Sequence, residues 1–135
     1  MRIVKRATRK KMPLVLVVDD YEDTRRIYSD YLEFAGFRVV AANDGAEAIS
    51  KAKELGPDVV VMDLAMPGVD GWTATRKLKS DPRTKNIFVM AVTGYSEDVH
   101  RLAAWRSGCD AFLAKPVLPA ELVRRIVGRL VARPA

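Results

Sequence analysis

Residues 14–36 read LVLVVDDYEDTRRIYSDYLEFAG. The first five, Leu14 to Val18, are apolar and rich in valine, a length and composition that suit a strand. Asp19 and Asp20 end the run. The stretch 21–35 then places Ile27, Tyr28, Tyr31, Leu32 and Ala35 at helical spacing, and Gly36 is the residue type that closes a helix. The segment therefore reads as one strand and one helix, with those five side chains expected to face inward. The strand is apolar throughout rather than alternating. Both of its faces are expected to be covered, as in a parallel sheet between two helical layers.

The same unit recurs along the chain. Apolar runs lie at 37–42, 59–62, 87–92 and 111–114. Helical stretches follow at 45–55 (Ala48, Ile49, Ala52, Leu55), 71–80 (Leu78), 96–107 (Val99, Leu102, Ala103) and 119–132 (Leu122, Val123, Ile126, Val127, Leu130). The order is (βα)5, an α/β class in which right-handed crossovers put helices on both faces of a mainly parallel sheet.

The 135 residues are enough for one core, and 49% hydrophobic with 30% charged residues is a globular balance rather than a disordered one. The longest apolar runs fall far short of the ~20 residues that cross a bilayer. The opening MRIVKRATRKK lacks the apolar stretch of a secretory signal. A cytoplasmic protein without membrane insertion is expected. One cysteine, Cys109, excludes a disulfide framework and a thiolate-rich zinc site, and one histidine, His100, excludes paired-histidine metal motifs. Cys109 is expected to be a small buried hydrophobe and His100 a helix-face residue. Trp105 falls on the flank of its helix's apolar stripe, at the core edge or on a partner surface. The net charge of +6 is contributed by Arg2, Lys5, Arg6, Arg9, Lys10 and Lys11; the remainder balances 17 basic against 17 acidic residues. Residues 1–12 are thus expected to form a basic flexible tail and 13–135 a neutral folded domain, with no specific nucleic-acid partner.

Ligands of open α/β sheets sit at the carboxyl ends of the strands. The residues there are Asp19 and Asp20 after the first strand, Asp63 after the third, Thr93 after the fourth, and Lys115-Pro116 after the fifth. Each alone has an ordinary structural reading: Asp19 or Asp20 capping a helix, Asp63 in a turn, Thr93 ending a strand, Lys115 in solvent. Together on one sheet edge they point to a site. Three carboxylates repel one another unless a cation lies among them, and hard oxygens with no histidine or cysteine favour Mg²⁺. Beside such an ion an aspartate can attack phosphorus and form an acyl phosphate. The metal and a lysine offset charge on the moving phosphoryl group.

The pieces VLVVDD (15–20), VVVMDLAMPGVDGW (59–72), MAVTG (90–94) and FLAKP (112–116) resemble the response-regulator receiver domain family, in order and in spacing, over about residues 13 to 132. The resemblance implies a three-layer, doubly wound, flavodoxin-like sandwich whose five parallel strands run in the order 2-1-3-4-5. It implies phosphorylation at Asp63. It implies a Mg²⁺ site from Asp20, Asp63 and the backbone carbonyl of Ala65, with Asp19 completing the surroundings. Lys115 matches the lysine that contacts the phosphoryl group, Thr93 and Phe112 the switch pair, and Lys115-Pro116 a cis peptide bond. Ala65 stands where a polar residue is common, Tyr95 flanks the same position, and Phe112 lacks the hydroxyl of a tyrosine.

The implied function is that of a phosphoacceptor response regulator in a two-component phosphorelay. A sensor histidine kinase or histidine phosphotransfer protein donates the phosphoryl group. The chain then acts on a downstream protein target as a monomer or weak dimer, and is no enzyme beyond chemistry on its own Asp63. No residues are left over for an output domain, so protein contacts are expected to carry the output. A Mg²⁺-dependent phosphatase with an aspartyl nucleophile is the rival, disfavoured because Ala65 stands where such enzymes want a second aspartate. The other alternative is a receiver fragment of a larger regulator or hybrid kinase.

Overall fold

A β-branched apolar run can pair on both edges and bury both faces, and the chain uses its three central runs in this way, with the second and fifth runs at the sheet edges. The computed structural model describes residues 12–66, 68–94 and 98–131. It alternates β1 (Leu14–Val18), α1 (Glu22–Phe34), β2 (Arg38–Ala42), α2 (Gly45–Leu55), β3 (Val59–Asp63), α3 (Gly71–Ser80), β4 (Phe88–Thr93), α4 (Asp98–Arg106), β5 (Ala111–Ala114) and α5 (Pro119–Val131). The sheet is parallel throughout, in the order β2-β1-β3-β4-β5. The basic segment 1–11 lies outside the described residues. Met12, read as part of the tail, packs partly against the core.

The strand period of two sorts the side chains into two cores. Val15, Val17, Val59, Val61, Met90 and Val92 face Tyr28 and Leu32 of α1 and Leu122, Val123 and Ile126 of α5. Leu16, Val18, Val60, Met62, Val89 and Ala91 face Ala48 and Ala52 of α2, Ala74 and Leu78 of α3, and Ala104 of α4. Consecutive valines thus contribute to opposite layers, which is why the strands read as unbroken apolar runs. Helix ends carry matching chemistry. Asp44 caps α2 by accepting from the Glu47 N–H at 2.8 Å, and Gly56 ends it in the left-handed region at φ 59°.

Three expected inward faces are narrower than the apolar pattern. On α1 the buried residues are Tyr28, Leu32 and, just past its end, Ala35, while Ile27 and Tyr31 are exposed. The buried stripe follows i, i+4, i+7, and residues one step to its side look past the sheet edge. Leu55 is likewise exposed at the last turn of α2. On α4, Leu102 and Ala103 are exposed and Ala104 is fully buried, with Ser107 buried just beyond the helix. A small side chain there lets the helix lie close to the sheet, and the rotation leaves Trp105 on the outside, 47% exposed. The side chains of Val99 and His100 lie outside the described residues. Cys109 is buried, and that burial pushes its thiol up to about 11, which leaves it a protonated, unreactive packing residue. Among the described residues no helix is long and apolar enough to cross a membrane.

Candidate functional site

Parallel register brings the polar residues to one edge. Val18 pairs with Met62, so Asp19 and Asp63 follow on neighbouring strands. Asp63 pairs with Val92, the residue before Thr93, and Thr93 pairs with Ala114, the residue before Lys115. Carboxylate oxygens of Asp19, Asp20 and Asp63 lie within 4.8 Å of one another. Asp19 and Asp63 are buried and Asp20 is exposed, so the cluster opens to solvent on the Asp20 side. The Lys115 Nζ donates to Asp19 Oδ2 at 3.0 Å and sits 3.6 Å from Asp63 Oδ2. The peptide bond between Lys115 and Pro116 is cis, as the resemblance implied.

Local backbone contacts hold the carboxylates. Asp19 Oδ1 accepts from the Tyr21 N–H at 2.9 Å, so Asp19 orders the entry to α1 with one oxygen and meets Lys115 with the other. The residue at the N-terminal cap of α1 is Tyr21, and no side chain caps the helix there, so Asp19 is not a helix cap; its contact to the Tyr21 N–H is a turn before the helix. Asp63 Oδ1 accepts from the Ala65 N–H at 3.2 Å; the observed tie of Ala65 to the site is through this amide. The chain after Asp63 then turns into α3, which begins against the strand it has just left. The Gly71 N–H donates to the Leu64 carbonyl at 3.0 Å, and a Cβ at position 71 would overlap the Asp63 carbonyl oxygen. The Gly45 N–H, at the start of α2, donates to the Val69 carbonyl at 3.1 Å, and a Cβ there would overlap that carbonyl. Glycine at both positions allows backbone contact that any side chain would block.

Burial and like charge act together on Asp63. Burial pushes its carboxyl up from the ordinary 3.8 to about 6; Asp19 and Asp20 push the same way, while Lys115 and the Ala65 N–H pull it down. At neutral pH it is still mostly ionised, and therefore available as a nucleophile. For Lys115, burial alone would lower the ammonium's value, but the hydrogen bond to Asp19 and the charge of Asp63 outweigh it and the net direction is upward. Three carboxylates against one ammonium leave a site charge of minus two at neutral pH. The donor set contains only hard oxygens, and a divalent cation would neutralise the excess, so these residues fit a bound metal ion.

Thr93 is fully buried at the end of β4, and the Lys115 N–H donates to its carbonyl at 2.8 Å. Phe112 lies on β5 opposite Ala91, partly buried against the second core, with the Arg101 guanidinium 5.3 Å from its ring centroid. Tyr95 lies outside the described residues. Tyr28 was legible only as an inward-facing helix residue. In the fold its buried hydroxyl donates to the Val117 carbonyl at 3.2 Å, directly behind the turn that carries Lys115. The available signal was the residue type: a buried tyrosine needs a partner for its hydroxyl.

Comparison with known proteins agrees with this arrangement. The family described as the response regulator receiver domain matches residues 15–127. The DNA-binding dual master transcriptional regulator RpaA of Synechocystis sp. is 35% identical over 85% of this chain, which spans 48% of that protein's length. The polar-differentiation response regulator DivK of Brucella anthropi is 30% identical over 83% of this chain and 91% of its own length. Among solved structures, the chemotaxis protein CheY4 of Vibrio cholerae superposes with a TM-score of 0.81 at 29% identity, covering 85% of this chain and 96% of that one. With its strand order, its acidic cluster and a match across residues 15–127, the chain belongs to the response-regulator receiver domain family of two-component systems.

Proposed function

We propose that this chain is the phosphoacceptor of a two-component phosphorelay, with Asp63 as the residue that is phosphorylated. The observation that carries the reading is the convergence of Asp19, Asp20, Asp63 and Lys115 at the carboxyl ends of β1, β3 and β5. An ionised Asp63 oxygen attacks the phosphorus of a phosphohistidine on a sensor kinase or phosphotransfer protein. The new O–P bond forms as the P–N bond breaks, and the donor leaves as neutral imidazole after taking up a proton. Asp19, Asp20 and Asp63, with the carbonyl of Ala65, would hold Mg²⁺, which when bound offsets charge on the phosphoryl oxygens. Lys115 faces the same oxygens from the protein side. No external substrate is turned over; transfer and later hydrolysis both take place on Asp63.

The signal leaves through Thr93 and Phe112. The Thr93 hydroxyl turns toward a phosphoryl oxygen, and Phe112 takes up the space this vacates, shifting an equilibrium between two arrangements of α4 and β5. The output is a protein contact, made in the cytoplasm by a monomer or weak dimer. The test is intact-mass measurement after treatment with acetyl phosphate and Mg²⁺. One phosphoryl group is expected on the wild-type chain and none on Asp63→Asn or in EDTA. Label that persists in the variant would remove Asp63 from this role.

A further inference from the structure

Tyr28 is a bulky polar side chain in the core that α1 and α5 form on the sheet, 6% exposed and within electrostatic reach of Lys115, Asp19 and Asp63. Aliphatic packing alone would not require its oxygen. That oxygen donates to the Val117 carbonyl at 3.2 Å, across 89 residues of sequence. Val117 is two residues past Lys115 and is itself buried. Burial raises the phenol's pKa above the ordinary 10.0, so the proton stays in place and the group acts as a donor. The Lys115 ammonium and the Asp19 and Asp63 carboxylates all act electrostatically on the phenol. The segment 115–118 has no helix or strand ladder of its own. Among the described residues its backbone ties include the Lys115 N–H to Thr93, the Leu118 carbonyl to Leu122 of α5, and the Val117 carbonyl to Tyr28.

We propose that Tyr28 is a positioning residue for phosphoryl transfer: by anchoring the Val117 carbonyl to α1, its hydroxyl holds the turn that aims Lys115 at Asp19 and Asp63. This rests on the reading of Asp63 as phosphoacceptor and adds to it a residue outside the acidic edge. The hydroxyl's hydrogen bond goes to the Val117 backbone and not to a carboxylate of the site, so it acts through Lys115. Losing one neutral hydrogen bond corresponds to an effect of about two- to tenfold.

The test uses Tyr28→Phe, which removes the oxygen and keeps the ring. The first measurement is acylation of Lys115 by an amine-directed acetylating reagent on the metal-free 135-residue chain, read by peptide mass spectrometry. Labelling at Lys115 is expected to quicken about two- to tenfold in the variant, with Lys51 and Lys79 unchanged. Unchanged Lys115 labelling overturns the proposal. The second measurement is the rate of Asp63 phosphorylation at saturating acetyl phosphate and Mg²⁺, in wild type, Tyr28→Phe, Lys115→Ala and the double variant. The rate should fall about two- to tenfold in Tyr28→Phe, and the same change should have no further effect once Lys115 is gone. An equal loss in both backgrounds, or none in either, overturns the positioning role. A wild-type chain that accepts no phosphoryl group overturns the phosphoacceptor reading, and the labelling measurement then decides by itself whether Tyr28 holds Lys115.

Discussion

Replacing Asp63 by asparagine is expected to stabilise the metal-free protein at neutral pH while abolishing its chemistry. Asp63 is only 6% exposed, and its carboxyl is pushed from 3.8 up to about 6, chiefly by burial and then by Asp19 and Asp20 against the pull of Lys115. The folded chain therefore holds this proton to higher pH than the unfolded chain does. Well below about pH 4 the carboxyl is neutral in both states and costs nothing. Between about pH 4 and about pH 6 folding must increasingly accommodate a buried charge, and above that range the full penalty applies. A difference of about two pKa units corresponds to about 3 kcal/mol at about 1.36 kcal/mol each. Asparagine has the same shape and never ionises. Urea denaturation in EDTA, followed by circular dichroism, should show Asp63→Asn more stable than wild type by about 2–3 kcal/mol at about pH 7.5 and equal to it near about pH 4. Excess Mg²⁺ should narrow the gap at the higher pH, because a bound cation stabilises the native wild-type site. A variant less stable than wild type at neutral pH, or a gain independent of pH, would show that the Asp63 charge is not held at a cost.

Lys115→Ala should move the Asp63 titration further above about 6, since Lys115 is the main group holding it down, and carboxyl carbon NMR in metal-free buffer reads this directly; a downward move would contradict the ion pair. Gly71→Ala should destabilise the fold by about 1–3 kcal/mol, because a Cβ overlaps the Asp63 carbonyl and the strand end must shift; denaturation midpoints check it, and a neutral substitution would mean the close approach is relieved at no cost. Thr93→Ala should still be phosphorylated on Asp63 but respond weakly, since the hydrogen bond from hydroxyl to phosphoryl oxygen is worth about 1.5–3 kcal/mol. Amide shifts with and without beryllofluoride measure the response, and equal changes over 101–118 in both proteins would exclude Thr93 as the coupling element.

The five apolar runs, the glycines that close helices and the position of each polar residue after a strand were all legible without coordinates. They depend on local periodicity, and a residue at or just past the end of a parallel strand, as Asp63 and Thr93 at the ends of β3 and β4, has one place to go. That is why Asp19, Asp20, Asp63, Thr93 and Lys115 could be put at one edge from their order alone. Facing was less legible. Ile27, Tyr31, Leu55, Leu102 and Ala103 fit an apolar helix pattern yet are exposed, because a helix rests on a sheet along one narrow line whose rotation depends on what it packs against. The distances within the site were not legible at all. That Lys115 spans Asp19 and Asp63, that burial lifts Asp63, and that Tyr28 on α1 supports the turn after β5 are consequences of three-dimensional packing between segments up to 96 residues apart. Sequence spacing can specify which groups share an edge, but the packing of α1 and α5 around the sheet sets their separation, solvent exposure and charge.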